Sequence, residues 1–453
     1  MPDLSTRLQL LRVHTCLGCV LVFAVAAAAQ TSTPPDAASR FRAAVTFDQA
    51  AAAQTKKPKK KDPVFRWVPH PTLQIGIVQV ALRARLQFDA RRSEIDVDLG
   101  DDADRALDLA RRRLGVEGQI GRYANFQVEG EIGDDEDPWR DVFLNYQQFE
   151  QAQFQFGKFK VPFSLDENTS PTNLDFVYRS LAANILAPGR DIGWMAHGRV
   201  FNRIFRYEFG MFEHDGRNAR PRRAERVYGG QTTAGRVNVL PFRTSKTAAE
   251  DLLIGVAWTS SDVPEGFSGL RGETVFGQRF YKSDYIMQGQ RKRLGFEMRW
   301  RPGPFSIKYE YIKVTDERLG ESVEDSDLSP LRAIGWYVSG TWAITGEKKA
   351  DGLDVPKRPL FQGGYGAVEV AARVEKLTFD SVATGDAPST SPRADVILGN
   401  SNHVVTFGVN WYVNRWIKIQ YNTIQETLSD PAQGPAPERP RFWSRILRFQ
   451  FQL

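Results

Sequence analysis

Few folds tolerate strands that are charged on one face and continuously apolar on the other, and this chain repeats such strands from Leu73 to Leu453. In the first of them Val78, Val80, Leu82, Ala84, Leu86 and Phe88 alternate with Gln79, Ala81, Arg83, Arg85 and Gln87. Residues two apart share a face of a strand, so the alternation sorts apolar from polar side chains. The pattern returns in Leu294, Phe296, Met298 and Trp300 against Gly295, Glu297, Arg299 and Arg301. It returns again in Phe305, Ile307, Tyr309 and Tyr311 against Ser306, Lys308 and Glu310, and in Leu447, Phe449, Phe451 and Leu453 against Arg448, Gln450 and Gln452. A dry sandwich core would bury those Arg and Glu side chains at high cost. A strand set between lipid and a wet lumen needs both faces.

About sixteen such strands are read, from 74–89 to 441–453, with 230–240, 251–260 and 291–302 among them. Their connections mostly alternate between short turns, as at Asn202-Arg203 and Pro302-Gly303-Pro304, and long polar loops near 90–108, 161–191, 214–229 and 261–290. Short turns on one rim and long loops on the other mark an outer-membrane barrel. Residues 346–363 depart from this, being long on the short-turn side. The expected fold is therefore all-β: a transmembrane antiparallel β-barrel of about 16 strands. The stretch 161–191 is too long for a plain connection, and its Pro162, Pro171 and Pro188-Gly189 break strand structure. It is expected to fold inward as a constriction loop.

The N-terminus reads as an export signal. Arg7 and Arg12 precede a run from Cys16 to Ala27 of the length of an apolar signal core, and Ala27-Ala28-Ala29 offers a small-residue cleavage site. Residues 1–29 are thus a signal peptide, 30–71 a flexible periplasmic leader with one short helix near Arg42–Ala53, and 72–453 the barrel. Both cysteines of the chain, Cys16 and Cys19, fall in the signal, so the mature part offers no disulfide and no thiolate metal site. The net charge of +6 is carried by the first 71 residues, and 72–453 is near neutral. The basic balance therefore does not imply nucleic acid; the Lys56–Lys61 run reads as a solvated linker.

Chemistry of an enzyme is not assembled here. The five histidines, His14, His70, His197, His214 and His403, show no metal-ligand spacing, and no G-x-S-x-G elbow or phosphate-binding loop occurs. No catalytic residue, metal or cofactor is expected. Asp98 to Asp104 and Asp134–Asp137 read as solvated loop charge.

Several segments resemble the phosphate-selective porins O and P of bacterial outer membranes. They are Phe156-Gly157-Lys158-Phe159-Lys160-Val161-Pro162-Phe163, Pro188-Gly189-Arg190-Asp191-Ile192-Gly193, the stretch Gly335–Glu347, Gly366–Arg373 and Gly408-Val409-Asn410-Trp411-Tyr412. The resemblance implies a sixteen-stranded barrel, a homotrimer and a third loop that narrows each pore. It also implies an arginine ladder along the channel. Arg220, Arg222 and Arg226 share parity with Arg236, which lies opposite the apolar Thr233, Val237 and Val239. Guanidinium groups suit such a ladder because they stay charged and grip phosphate oxygens in a fork. Arg83 and Arg85 flank Ala84 and are further pore-lining candidates, expected to share the lumen only if a bulge intervenes. Lys158 and Lys160 lead into the constriction loop. Within it Glu167 stands where phosphate-selective members carry a lysine, Pro171 replaces a serine, and Ser170 matches. A carboxylate there opposes anion binding.

The expected function is passive diffusion of small hydrophilic solutes, anions such as phosphate among them, through an integral outer-membrane channel. Its partners would be outer-membrane lipid and lipopolysaccharide, small anionic or polar solutes, and further copies of the chain. The alternative is a non-conducting structural or adhesive barrel, with an exported soluble β protein behind it.

Overall fold

The computed structural model describes residues 65–67, 70–95, 107–134, 137–216, 231–268, 270–281, 286–352, 355–385, 387–391 and 394–453. The expected signal peptide, nearly all of the leader, the acidic run Asp98–Asp104, and Arg220, Arg222 and Arg226 lie outside the described residues.

Sixteen antiparallel strands close into one barrel. They are β1 (Val78–Ser93), β2 (Leu107–Ile120), β3 (Ala124–Glu131), β4 (Trp139–Phe149), β5 (Ala152–Lys160), β6 (Arg190–Val200), β7 (Phe205–Phe212) and β8 (Thr232–Val239). Then follow β9 (Leu253–Ser268), β10 (Ile286–Trp300), β11 (Phe305–Arg318), β12 (Leu328–Ala343), β13 (Ala367–Phe379), β14 (Asn400–Tyr412), β15 (Ile417–Leu428) and β16 (Arg441–Gln452). Each pairs with its successor, and β16 returns to β1 with Ser444 opposite Ser93 and Gln452 opposite Arg85. Closure satisfies every backbone edge, which the bilayer demands. A buried clasp seals the seam: Arg448 donates from Nε and Nη2 to the two Asp89 carboxylate oxygens at 2.6 Å each. Below β16, the short strand Thr72–Ile75 turns at Gly76-Ile77 and pairs back onto Val78–Ala81.

The faces sort as the alternation requires. On β11, Phe305 and Ile307 point to lipid, whereas Ser306, Lys308, Glu310, Ile312, Val314 and Asp316 are buried inside. Arg236 faces inward beside Ala234 and Asn238. Arg83 and Arg85 both face inward, and β1 pairs with β2 in unbroken register from Val78 to Gln87. The bulge expected between them is not needed, because positions two apart already share a face. The strands of the long-loop rim overrun the expected bounds: β9 continues to Ser268 and β10 begins at Ile286. Hairpin pairing continues past the membrane, where alternation no longer has a lipid face to report.

A wet lumen was expected along its whole inner surface. On the β10–β16 side it is instead filled. Ile312, Val314, Ala333, Leu377, Val404, Ile424 and Ile446 line the inside there. They pack against Phe163, Val177, Leu181, Ala182 and Leu186 of the 161–189 segment and against Leu270, Val275, Phe280 and Tyr281 of the β9–β10 connection. Tyr281 stacks on Phe379 with ring centroids 4.2 Å apart. At Gly335 a Cβ would come within 2.7 Å of the Ala182 Cβ, so only glycine lets the loop lie this close to the wall. The connection 344–366, too long for a plain turn, sends Lys349 into the same packed half.

Candidate pore and anion path

The constriction loop is built from short local signals. Val161-Pro162 ends β5, and Ser164, at φ 72°, caps the helical turn Leu165–Asn168 by accepting from the Glu167 N–H at 3.1 Å. Gly189, at φ 84°, returns the chain to β6. Between these points the loop's backbone is held by side chains of the opposite wall. The Glu310 carboxylate accepts from Leu165 and Asp166 N–H at 3.0 and 3.2 Å. Lys418 Nζ donates to Leu174 O at 2.7 Å, Arg448 Nη1 to Val177 O at 2.8 Å, and Arg293 Nε to Leu186 O at 2.7 Å. Asp175 lies buried between Lys308 at 2.6 Å and Lys349 at 2.7 Å. Burial alone would raise its carboxyl, but the two ammonium groups outweigh burial and hold it below the ordinary carboxylate range.

With the loop fixed to β10–β16, the open space lies between it and β1–β6. Among the described residues two cavities on that side share Arg190 and Pro171. One, of about 550 Å³, is lined by Arg111, Arg113, Arg140, Arg179 and Arg190 together with Glu131, Asp134, Asp137 and Glu167. The other, of about 290 Å³, is lined by Arg83, Arg85, Lys160 and Arg190 with Glu129 and Asp141.

Strand register makes a file of arginines here. Arg113 stands directly opposite Arg85, and Arg111 opposite Gln87. Three guanidinium groups converge on one buried carboxylate: Glu129 lies 3.5 Å from Arg113, 3.7 Å from Arg85 and 3.8 Å from Arg83. Arg113 also meets Glu131 at 2.6 Å, and Arg83 meets Glu117. Arg85 is only 5% exposed, and among the described residues its Nε and Nη1 find no hydrogen-bond partner. Among the described residues Arg111 donates to the Gln87 side chain and pairs with no carboxylate, while Arg448, Arg113, Arg179 and Arg85 surround it electrostatically. A buried cation with unfilled donors gains much from an arriving anion, through charge-assisted bonds that nothing else there supplies.

The residues singled out from sequence divide accordingly. Arg83 and Arg85 reach the open path. Lys160 does too, though its ammonium is also held by the carbonyls of Glu167 and of Thr169, the latter at 3.0 Å. Arg236 is inside but committed: Glu297 accepts from its Nε and Nη2 at 3.0 and 2.8 Å, and Glu208 lies 3.4 Å from its Nη1. Lys158 pairs with Asp137 instead of entering the path. Ser170 lines the smaller cavity and shares a hydrogen bond with Thr172 at 2.9 Å. Glu167 does not stand alone against an anion, because Arg179 meets its carboxylate at 3.1 Å. Arg111, Arg113, Arg179 and Arg190 are not among the candidates read from sequence; the run Arg111-Arg112-Arg113 inside an expected strand is the available signal.

The family model described as phosphate-selective porin O and P matches residues 80–453. No curated protein matches. Among solved structures, the in-vitro-folded trimer form of OmpT, an outer membrane protein of Vibrio cholerae, is 14% identical, with 83% of this chain and 99% of that chain covered at a TM-score of 0.50. The outer membrane channel DcaP of Acinetobacter baumannii is 11% identical over 83% of this chain and 97% of that one, at a TM-score of 0.47. OmpF of Salmonella typhi, in complex with daunomycin, is 8% identical over 84% and 100%, at 0.49. The first of these carries the likeness of fold. The barrel is an integral protein of the outer membrane.

Proposed function

The chain belongs to the phosphate-selective porin O and P family, and from that premise we propose that its open half-lumen conducts small anions, phosphate among them. The observation that carries this reading is the sharing of Glu129 by Arg83, Arg85 and Arg113, with Arg111 beside them bonded to Gln87 and to no carboxylate among the described residues. Each guanidinium stays charged at any working pH. Spaced along the wall, they let an anion exchange one partner for the next without a deep trap. Arg179 cancels Glu167, so the constriction loop adds no net repulsion. The trimer form of the OmpT structure supports a homotrimer, and export through residues 1–29, with 30–71 as a leader, completes the reading.

The test is single-channel recording in a planar bilayer, with reversal potential under a salt gradient and phosphate titrated in. Discrete steps, an anion-biased reversal and block by phosphate are expected, with Arg85→Gln and Arg111→Gln moving the reversal toward cations. A cation-biased reversal from the unmodified channel would overturn the anion path and keep the porin. The packed half-lumen favours one second reading, a non-conducting barrel; absence of steps from folded, detergent-stable protein would establish it.

A further inference from the structure

The smaller cavity has a second wall that the anion path does not use. Besides Arg83, Arg85 and Lys160 it is lined by Phe143, Phe159 and Met195. These belong to an inward-facing apolar cluster: Phe159 is 3% exposed and Met195 8%. Phe159 meets Phe143 edge-on at 6.3 Å and Phe212 at 5.4 Å. An aromatic cluster in the water-filled part of a channel lined by arginines has no role in passing a hydrated tetrahedral ion. Its volume of about 290 Å³ is near the lower end of pockets that hold small organic ligands, roughly 300 Å³ and up. The buried Arg85, whose Nε and Nη1 find no hydrogen-bond partner among the described residues, lines the same cavity.

Resting on the anion reading above, we propose that this cavity binds compact organic anions, a carboxylate head with an aromatic or short apolar body, in preference to inorganic phosphate. The carboxylate meets the Arg85 guanidinium, and Gln127 and Gln155 line the same cavity. The body covers the apolar surface that Phe143, Phe159 and Met195 still turn to the cavity, a gain open only to a ligand with apolar surface. Acetate carries the head without the body, and phosphate carries more charge without it.

The experiment is block of single-channel current by benzoate, acetate and inorganic phosphate, each titrated into the full-length channel. Benzoate is expected to block at a concentration roughly tenfold lower than either of the others, the discrimination one small apolar group gives in a fitted pocket. Phe159→Ala should bring the benzoate-to-acetate ratio toward one, and Met195→Ala should lower it less. Arg85→Gln should weaken block by benzoate and acetate alike. Equal block by benzoate and acetate in the unmodified channel would overturn the proposal whether or not the variants fold. A retained benzoate preference in folded Phe159→Ala would also overturn it. Equal block with an anion-biased reversal sinks this inference alone; a cation-biased reversal sinks the anion path beneath it.

Discussion

The two halves of the lumen use the same side chains for opposite ends. On the β10–β16 side, charges are matched and spent on backbone: Glu310, Lys418, Arg448 and Arg293 each hold a piece of the loop, and Asp175 is clamped by two lysines. On the β1–β6 side Arg83, Arg85 and Arg113 share Glu129, Arg83 and Arg113 have Glu117 and Glu131 besides, Arg85 has Glu129 alone, and Arg111 has no carboxylate among the described residues. An arginine facing a lumen is therefore not yet a binding residue. What decides is whether a carboxylate and a loop carbonyl have already filled its fork. Arg236, bound by Glu297 and Glu208, shows the filled case within the predicted ladder itself.

Breaking the matched side should have the largest effect. Asp175→Ala strands the buried Lys308 ammonium and leaves Lys349 with Glu369 alone, and loss of one partner of a buried pair costs roughly 3–5 kcal/mol. Unfolding in detergent-denaturant mixtures should show that loss, and single-channel conductance should rise as the loop leaves the wall. An unchanged midpoint with unchanged conductance would mean that the loop is held otherwise. On the open side, Glu129→Gln should raise the anion-to-cation permeability ratio, and Arg85→Gln or Arg113→Gln should lower it, each by roughly three- to tenfold. Arg236→Gln should move that ratio less, since Arg236 lines neither open cavity; a shift as large as that of Arg85→Gln would erase the contrast.

Salt should sharpen the contrast more gently. Raising ionic strength from 0.1 to 1 M shortens the screening length from about 10 Å to about 3 Å. Reversal potentials should lose part of their anion bias, while the unfolding difference between wild type and Asp175→Ala should hold, because buried pairs are little screened. The smallest effect is that of mild acid. Asp175 is depressed by its lysines, so its contribution is complete above the unfolded carboxylate pKa of about 3.9 and fades only as pH falls toward the lower folded value. The wild-type to Asp175→Ala difference should stay constant from pH 7 to about pH 4 and narrow below that. Narrowing already between pH 7 and 5 would show that Lys308 and Lys349 do not hold the carboxyl.

The strands were legible because lipid on one side and polar groups on the other impose period two; the last strand, read as 441–453, runs Arg441–Gln452. Face was legible too, down to Lys308 and Glu310 inside and Tyr309 outside. Height and neighbour were not. Parity places Arg113 in the lumen, but only register sets it opposite Arg85, and only the folded loop brings Arg179 onto Glu167. The dry half escaped notice because its inward residues are apolar only partway up. On β11 the inner face runs Lys308, Glu310, Ile312, Val314, Asp316, and the change at Ile312 reads as noise unless a loop is known to pack there.

The seam between β16 and β1 bears on the order in which this molecule can be made. Arg448 and Asp89 are 359 residues apart, so their pairing waits on nearly the whole barrel, and contacts of such range are slow to form. The same guanidinium carries the Val177 carbonyl of the constriction loop. Docking of that loop and zipping of the final strand are thus one event. A half-assembled barrel has no docked loop, and the lumen acquires its shape at the moment the ring is shut.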